Sequence, residues 1–178
     1  MARIDPTSAE CLIFTYREGM LSAIGHDLML RVTCFEIDVT PGTRAIHARF
    51  DTASLRVVAG SRGGALHDGA LGEEDRKKIE RSLRDEVLHC SLYPSILFRS
   101  TEVQAMGPGY LVTGELTMHG VTRTISLRSH PEGGRQTAEI SLHQPDYGVE
   151  PYSAFFGGLK VRADVTVRLR IEEPARGR

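Results

Sequence analysis

The chain has 178 residues, 40% apolar and 25% charged, with a formal charge of −1, which describes one soluble globular domain able to bury roughly 70% of its unfolded surface. A near-neutral balance without long like-charge blocks, and 6% aromatics with no tryptophan, argues against a nucleic-acid surface, which needs a basic stripe. Three scattered cysteines, Cys11, Cys34 and Cys90, do not make a disulfide framework, and no apolar run reaches the ~20 residues that cross a bilayer.

In chain order, residues 10–17 place Leu12, Phe14 and Tyr16 on one parity and read as a strand ending in a turn at Glu18-Gly19. Residues 21–39 are too long for one straight strand. Leu28, Leu30, Val32 and Cys34 share even parity, whereas Phe35, Ile37 and Val39 share odd parity. The switch predicts a bulge or bend near Thr33-Cys34. Ile46, Ala48 and Phe50 alternate with polar residues as a further strand, and residues 58–72, rich in glycine, read as a loop.

Residues 73–89 carry the only strong helix signal. Ile79, Leu83 and Val87 form one apolar stripe, with Glu73, Glu74 and Asp75 in the first turn, where the helix dipole favours acids. Glu73 with Lys77, and Glu74 with Lys78, are spaced to pair at i, i+4. Residues 95–103 follow as a strand with Ile96 and Phe98 inward.

Residues 110–127 then form two alternating runs around His119-Gly120, a break that suits a tight hairpin. Arg123 spoils one inward place in the second run. Ala138, Ile140 and Leu142 alternate next. Residues 159–171 alternate throughout, with Leu159, Val161, Ala163, Val165, Val167, Leu169 and Ile171 on one face. The count is eight strands with one helix inserted between them. Such a sheet packs on another sheet or closes on itself, and an eight-stranded barrel holds its own side chains or one slender ligand.

Two segments carry a family resemblance. Residues 93–101, YPSILFRST, and residues 114–123, GELTMHGVTR, are similar to the paired signature segments of YceI-like proteins, at the family's spacing. A DYGV piece at 146–149 and the closing alternating strand also fit, so the likeness runs over residues 4–172 and leaves 173–178 as a tail. The resemblance implies an all-β, antiparallel, eight-stranded lipocalin-like barrel whose lumen holds a long apolar chain, such as a polyisoprenoid, a quinone tail or a fatty acyl chain. It implies binding without catalysis, no cofactor beyond a bound isoprenoid or lipid, and homodimerisation. Many members are periplasmic. Here the N-terminal segment lacks a basic n-region and an apolar h-region, so the expectation is a cytoplasmic protein without integral membrane association.

The expected inward, ligand-lining residues are Phe14, Tyr16, Ile37, Phe50, Ile96, Phe98, Leu116, Phe155, Phe156, Val161 and Val165, with His26 as a polar anchor. The alternative is that these side chains simply fill the barrel. Small residues such as Ala48, Gly114 and Ala163 leave room for a cavity. A ligand burying about 400 Å² of apolar surface gains roughly 10 kcal/mol before ordering costs of several kcal/mol, so micromolar binding needs no polar anchor.

Other chemistry is weakly signalled. His26 and Asp27 are sequence neighbours, which suit a head-group anchor, a metal ligand, a base in an enzyme site at a barrel mouth, or a turn in which Asp27 caps backbone N–H groups. His119 reads as a turn residue. The seven histidines are scattered, without H-E-x-x-H or C-x-x-C, so no metal is expected. Cys90 follows the helix, at the dipole end that does not activate a thiolate, and no G-x-S-x-G occurs. The competing function is an interaction module with a self-filled barrel, using the polar face of the helix.

Overall fold

The computed structural model describes residues 2–19, 27–62 and 65–172, with the backbone alone for Arg62 and Phe155. His26 lies outside the described residues.

One antiparallel sheet dominates. Its order begins β1 (Ala2–Ile4), β5 (Phe35–Val39), β6 (Ile46–Asp51), β9 (Ser95–Met106), β10 (Gly109–Met118) and β11 (Val121–Glu132). It continues through β12 (Arg135–His143), β15 (Asp164–Glu172), β2 (Ala9–Thr15), β4 (Leu28–Val32), β7 (Leu55–Arg62) and β8 (Ala65–His67). A second sheet of three short strands pairs β13 (Ser153–Ala154), β14 (Leu159–Val161) and β3 (Arg17–Glu18). β4 and β5 sit near opposite ends of the large sheet, yet only Thr33 and Cys34 separate them in the chain. The sheet therefore curls until one bent strand belongs to both of its ends.

That bend is the predicted parity switch. Leu30 and Val32 are buried before it, Phe35 and Ile37 after it, and Thr33 and Cys34 are exposed. The turn at Thr52–Ser54 holds it: Thr33 donates to the Ser54 carbonyl through both N–H (3.2 Å) and Oγ1 (2.8 Å), and the Cys34 N–H donates to Ser54 Oγ (3.1 Å).

Three expectations need correction. Among the described residues the large sheet holds twelve strands rather than eight. Part of the difference is residues 58–72, read as a loop: residues 58–62 complete β7, with Ala59 and Ser61 buried, and 65–67 form β8. Gly60 lies within β7, where a Cβ would stand 2.9 Å from Leu71 Cδ1. The long alternating run 159–171 is also two strands, not one. The break falls at Arg162-Ala163, where the Arg162 N–H donates to the Tyr16 carbonyl (2.7 Å) and buried Gln144 donates to the carbonyls of Arg162 and Ala163. Period-two patterning cannot reveal a change of partner, because both halves keep one face inward.

The helix, α1 (Glu73–Ser82), continues through a wide turn, Leu83–Val87, whose last bond is Leu88 N–H to the Leu83 carbonyl (2.9 Å). Its predicted stripe packs on the core, with Val87 buried and Ile79 and Leu83 partly so. Glu73 pairs with Lys77 at 2.8 Å. α1 also covers the edge of β7: Glu80 Oε1 accepts the Val57 N–H (2.9 Å) and Arg76 donates to the Val57 carbonyl (3.4 Å). Backbone groups beside the irregular register at Met29/Leu30 are thereby satisfied without a neighbouring strand.

Candidate functional site

Register defines the inner face. Ile37 pairs with Ala48, Ala48 with Phe98, Phe98 with Leu116, and Phe50 with both Phe35 and Ile96. Directly paired residues project to one side of a sheet, so these form one apolar band. The Phe35 and Phe50 rings lie 5.6 Å apart. On the other wall, Ile13 pairs with Val167 and Leu30, Cys11 with Leu169 and Val32, and Leu142 with Val165.

The expected lining separates into groups. Ile37, Phe98 and Leu116 are buried on the inner face, and Phe50, Ile96 and Val165 are partly buried there. Phe14 and Tyr16 are on the opposite face. Phe14 pairs with Thr166 and lies under the Arg168 guanidinium, 4.8 Å from the ring centroid, and Tyr16 bonds Thr166 Oγ1 at 3.2 Å. The inward parity of β2 is Cys11, Ile13 and Thr15. Both parities of this strand are apolar, and arginine stems can cover an aromatic ring, so hydrophobicity alone did not choose the face. Phe156 also points away, with φ of 53° and 112% relative exposure. Val161 sits in the three-stranded sheet, paired with Arg17.

The inner face is unevenly covered. Leu30, Val32, Ile37, Val57 and Val112 are buried there, and α1 covers the β7 edge at Val57. Elsewhere on the same face, Ile125, Leu127, Ile140, Val165, Val167 and Leu169 share the inward parity but are only partly buried, while Leu142 among them is buried. Two surface clefts, of about 150 and 170 Å³, lie elsewhere, on the rim around Pro6, Ala9 and Glu10. Each is below the ~300 Å³ of an ordinary small-molecule pocket.

One cluster was not legible as such in the sequence. The His119 ring lies 4.1 Å from Tyr93 and 5.6 Å from His89 at the hairpin turn, where His119 (φ 53°) and Gly120 (φ 77°) form the two-residue connection. His119 Nε2 is buried without a hydrogen-bond partner among the described residues. Burial, then the neighbouring His89, pushes the His119 pKa down, and a backbone hydrogen bond with Tyr147 opposes this. The folded state thus holds His119 neutral more strongly than the unfolded chain does. Its contribution to stability is complete above the ordinary histidine value near 6.5 and declines as pH falls through it. A drop in urea midpoint between pH 7.5 and 5.5 is expected, smaller in His119→Asn, whose side chain tolerates positive φ. Equal drops in both proteins would remove His119 as the source.

Asp27 acts on backbone. Its Oδ1 accepts the Arg17 N–H (2.9 Å), its own N–H donates to Ser61 Oγ (2.8 Å), and its carbonyl accepts the Ser61 N–H (2.8 Å). It fastens β3 to β7. Cys11 is buried and its thiol is pushed up to about 12, mainly by desolvation, so at neutral pH it is a small hydrophobe rather than a nucleophile. Among the described residues no group of three or more His, Cys, Asp or Glu is placed to hold a metal ion, and no helix is long and apolar enough to cross a membrane.

A curled antiparallel half-barrel sheet with an apolar inner face and, among the described residues, one α-helix defines an all-β fold. The YceI-like domain pattern matches residues 3–173, and the chain belongs to that family. It is 28% identical over 81 residues to a UPF0312 protein of Yersinia pestis, a match covering 46% of this chain and 35% of that protein. It is 29% identical over 94 residues to a UPF0312 protein of Yersinia enterocolitica, covering 53% and 41%. The matched stretch thus spans less than half the length of these relatives. The fold is similar to Burkholderia cenocepacia BcnA, with a TM-score of 0.61, 15% identity, and 92% and 94% of the two chains covered. It is also similar to a Campylobacter jejuni YCEI protein, with a TM-score of 0.53, 14% identity, and 79% and 80% covered.

Proposed function

We propose that this protein binds a long apolar molecule, a polyisoprenoid, quinone tail or fatty acyl chain, along the inner face of its sheet and performs no chemistry on it. The observation that carries the reading is the uneven cover of the lumen. Six inward apolar residues on β11, β12 and β15, from Ile125 to Leu169, are only partly buried, whereas Leu30, Val32, Ile37, Val57 and Val112 on the same inner face are buried. Apolar side chains held inward yet incompletely covered gain about 25 cal/mol for each Å² that a ligand removes from water. Membership of the YceI-like family supports the same reading. Homodimerisation belongs to this proposal as a separate element, and light scattering on the eluting protein tests it.

Mass spectrometry of an organic extract, from protein purified without detergent, tests the cargo. A stoichiometric prenyl or acyl species is the expected result. An empty extract, together with no saturable binding of fluorescent acyl or prenyl probes by delipidated protein, would leave the self-filled interaction module. The lining also makes a quantitative prediction. Ile140→Gln is expected to weaken probe binding about tenfold, roughly 1.4 kcal/mol. Leu97→Gln is the control: Leu97 is exposed and lies on the outer face, paired with Arg49 and Thr117. Equal affinities for the two variants would place the ligand elsewhere.

A further inference from the structure

β11 changes partners partway along its length. Residues 121–128 pair with β10, and only residues 129–132 pair with β12, through its residues 135–138. Residues 139–143 of β12 pair on their other side, with β15. A continued hairpin would set Leu127 against Ile140 and Ser126 against Ser141, but the ladder ends at Ser129 and Ala138. Beyond that point the wall of the sheet divides. The division is bounded at its far end, where Arg123 Nε donates to the Asp146 carbonyl (3.1 Å) and ties β11 to the turn that follows β12. Six residue steps separate Ser129 from Arg123, so the slot is roughly 20 Å long at ~3.3 Å per residue.

Its two sides differ in chemistry. Toward the lumen the lips are Ile125 and Leu127 on β11 and Ile140 on β12, all partly buried. Toward solvent they are the exposed Ser126, Arg128, Ser141 and His143. An interrupted ladder leaves its facing edge amides to water, which is costly inside a wall unless the gap has a use. We infer that this slot is the side portal through which one long apolar chain enters the lumen, lengthwise, from a polar outer lip to an apolar inner one. The inference rests on the cargo reading above, and it adds the route.

The test joins the outer lips. Ser126→Cys and Ser141→Cys are introduced together with Cys34→Ser, which removes the exposed native thiol. Both new thiols lie on the solvent side, away from the lining. The pair is bridged by oxidation or by a short bifunctional thiol reagent, and bridging is checked by mass and by loss of both free thiols. Stopped-flow loading of the delipidated protein with a fluorescent fatty-acid probe is then compared before and after bridging. The reduced protein is expected to load like its parent, the bridged protein at least tenfold more slowly, with recovery on reduction of the disulfide. Equal rates in bridged and reduced protein overturn the portal. So does failure of either reagent to join the two thiols, because the lips then do not face one another. If the parent and the reduced variant both fail to bind, the cargo reading falls and the portal with it. If bridging instead blocks capture of an extended peptide while acyl loading is unchanged, the slot is a strand-addition site and the portal is overturned.

Discussion

Gly109→Ala is expected to destabilise the protein by about 3 kcal/mol, the upper end of the ordinary cost of overpacking. Gly109 opens β10 beside the point where β11 changes partners. A Cβ on it would stand 1.9 Å from the Ser129 carbonyl oxygen and 2.8 Å from the Ser129 carbonyl carbon. Both obstacles are backbone, so no rotamer change relieves them. Relief requires moving β10 away from β11, which also strains the bond from the Tyr110 N–H to Ser129 Oγ (3.0 Å). With a urea dependence of about 2 kcal/mol/M, the midpoint should fall by about 1.5 M. Gly69→Ala is the matched control, because a Cβ at Gly69 meets nothing within 4 Å. It should be neutral or slightly stabilising. A Gly109→Ala midpoint within about 0.3 M of the parent would mean that β10 and β11 are not packed this closely.

Leu30→Ala should cost about 3–4 kcal/mol, in the range of transfer plus cavity terms for a buried leucine. Leu30 is 2% exposed and stands on β4 between Ile13 on β2 and Val57 on β7. Three elements meet there, so the surroundings cannot collapse into the cavity without breaking a ladder. Leu92, 72% exposed, gives the contrast: Leu92→Ala should change stability by no more than about 0.5 kcal/mol. Equal urea midpoints for the two variants would mean that the core does not run through β4.

Where patterning had one possible meaning, sequence and structure agree. The parity switch at Thr33-Cys34, the helix stripe Ile79-Leu83-Val87 and the His119-Gly120 turn each follow from local constraints: a period, a stripe and a positive φ. The inward places of Ile37, Phe98 and Leu116 follow from strict alternation with polar neighbours. Phe14 and Tyr16 show where this fails. β2 is apolar on both parities, with Cys11 and Ile13 on one and Leu12 and Phe14 on the other. The choice of face fell to the partner strands, which set Arg168 over Phe14. Arg123 carried a signal of a different kind: a charge in an inward place, which the structure uses to reach the Asp146 carbonyl across the gap in the wall.

The sequence by itself determined an all-β chain with one inserted helix, its bend, its hairpin and its family, because each depends on periods and turns within a few residues. Only the tertiary structure decided that twelve strands share one curled sheet, that residues 159–171 divide between two sheets, and that β11 leaves β12 at Ser129. Those are choices of neighbour between segments far apart in the chain. A strand's alternation is the same whichever partner it takes, so the pattern names the inward face and leaves the neighbour to packing.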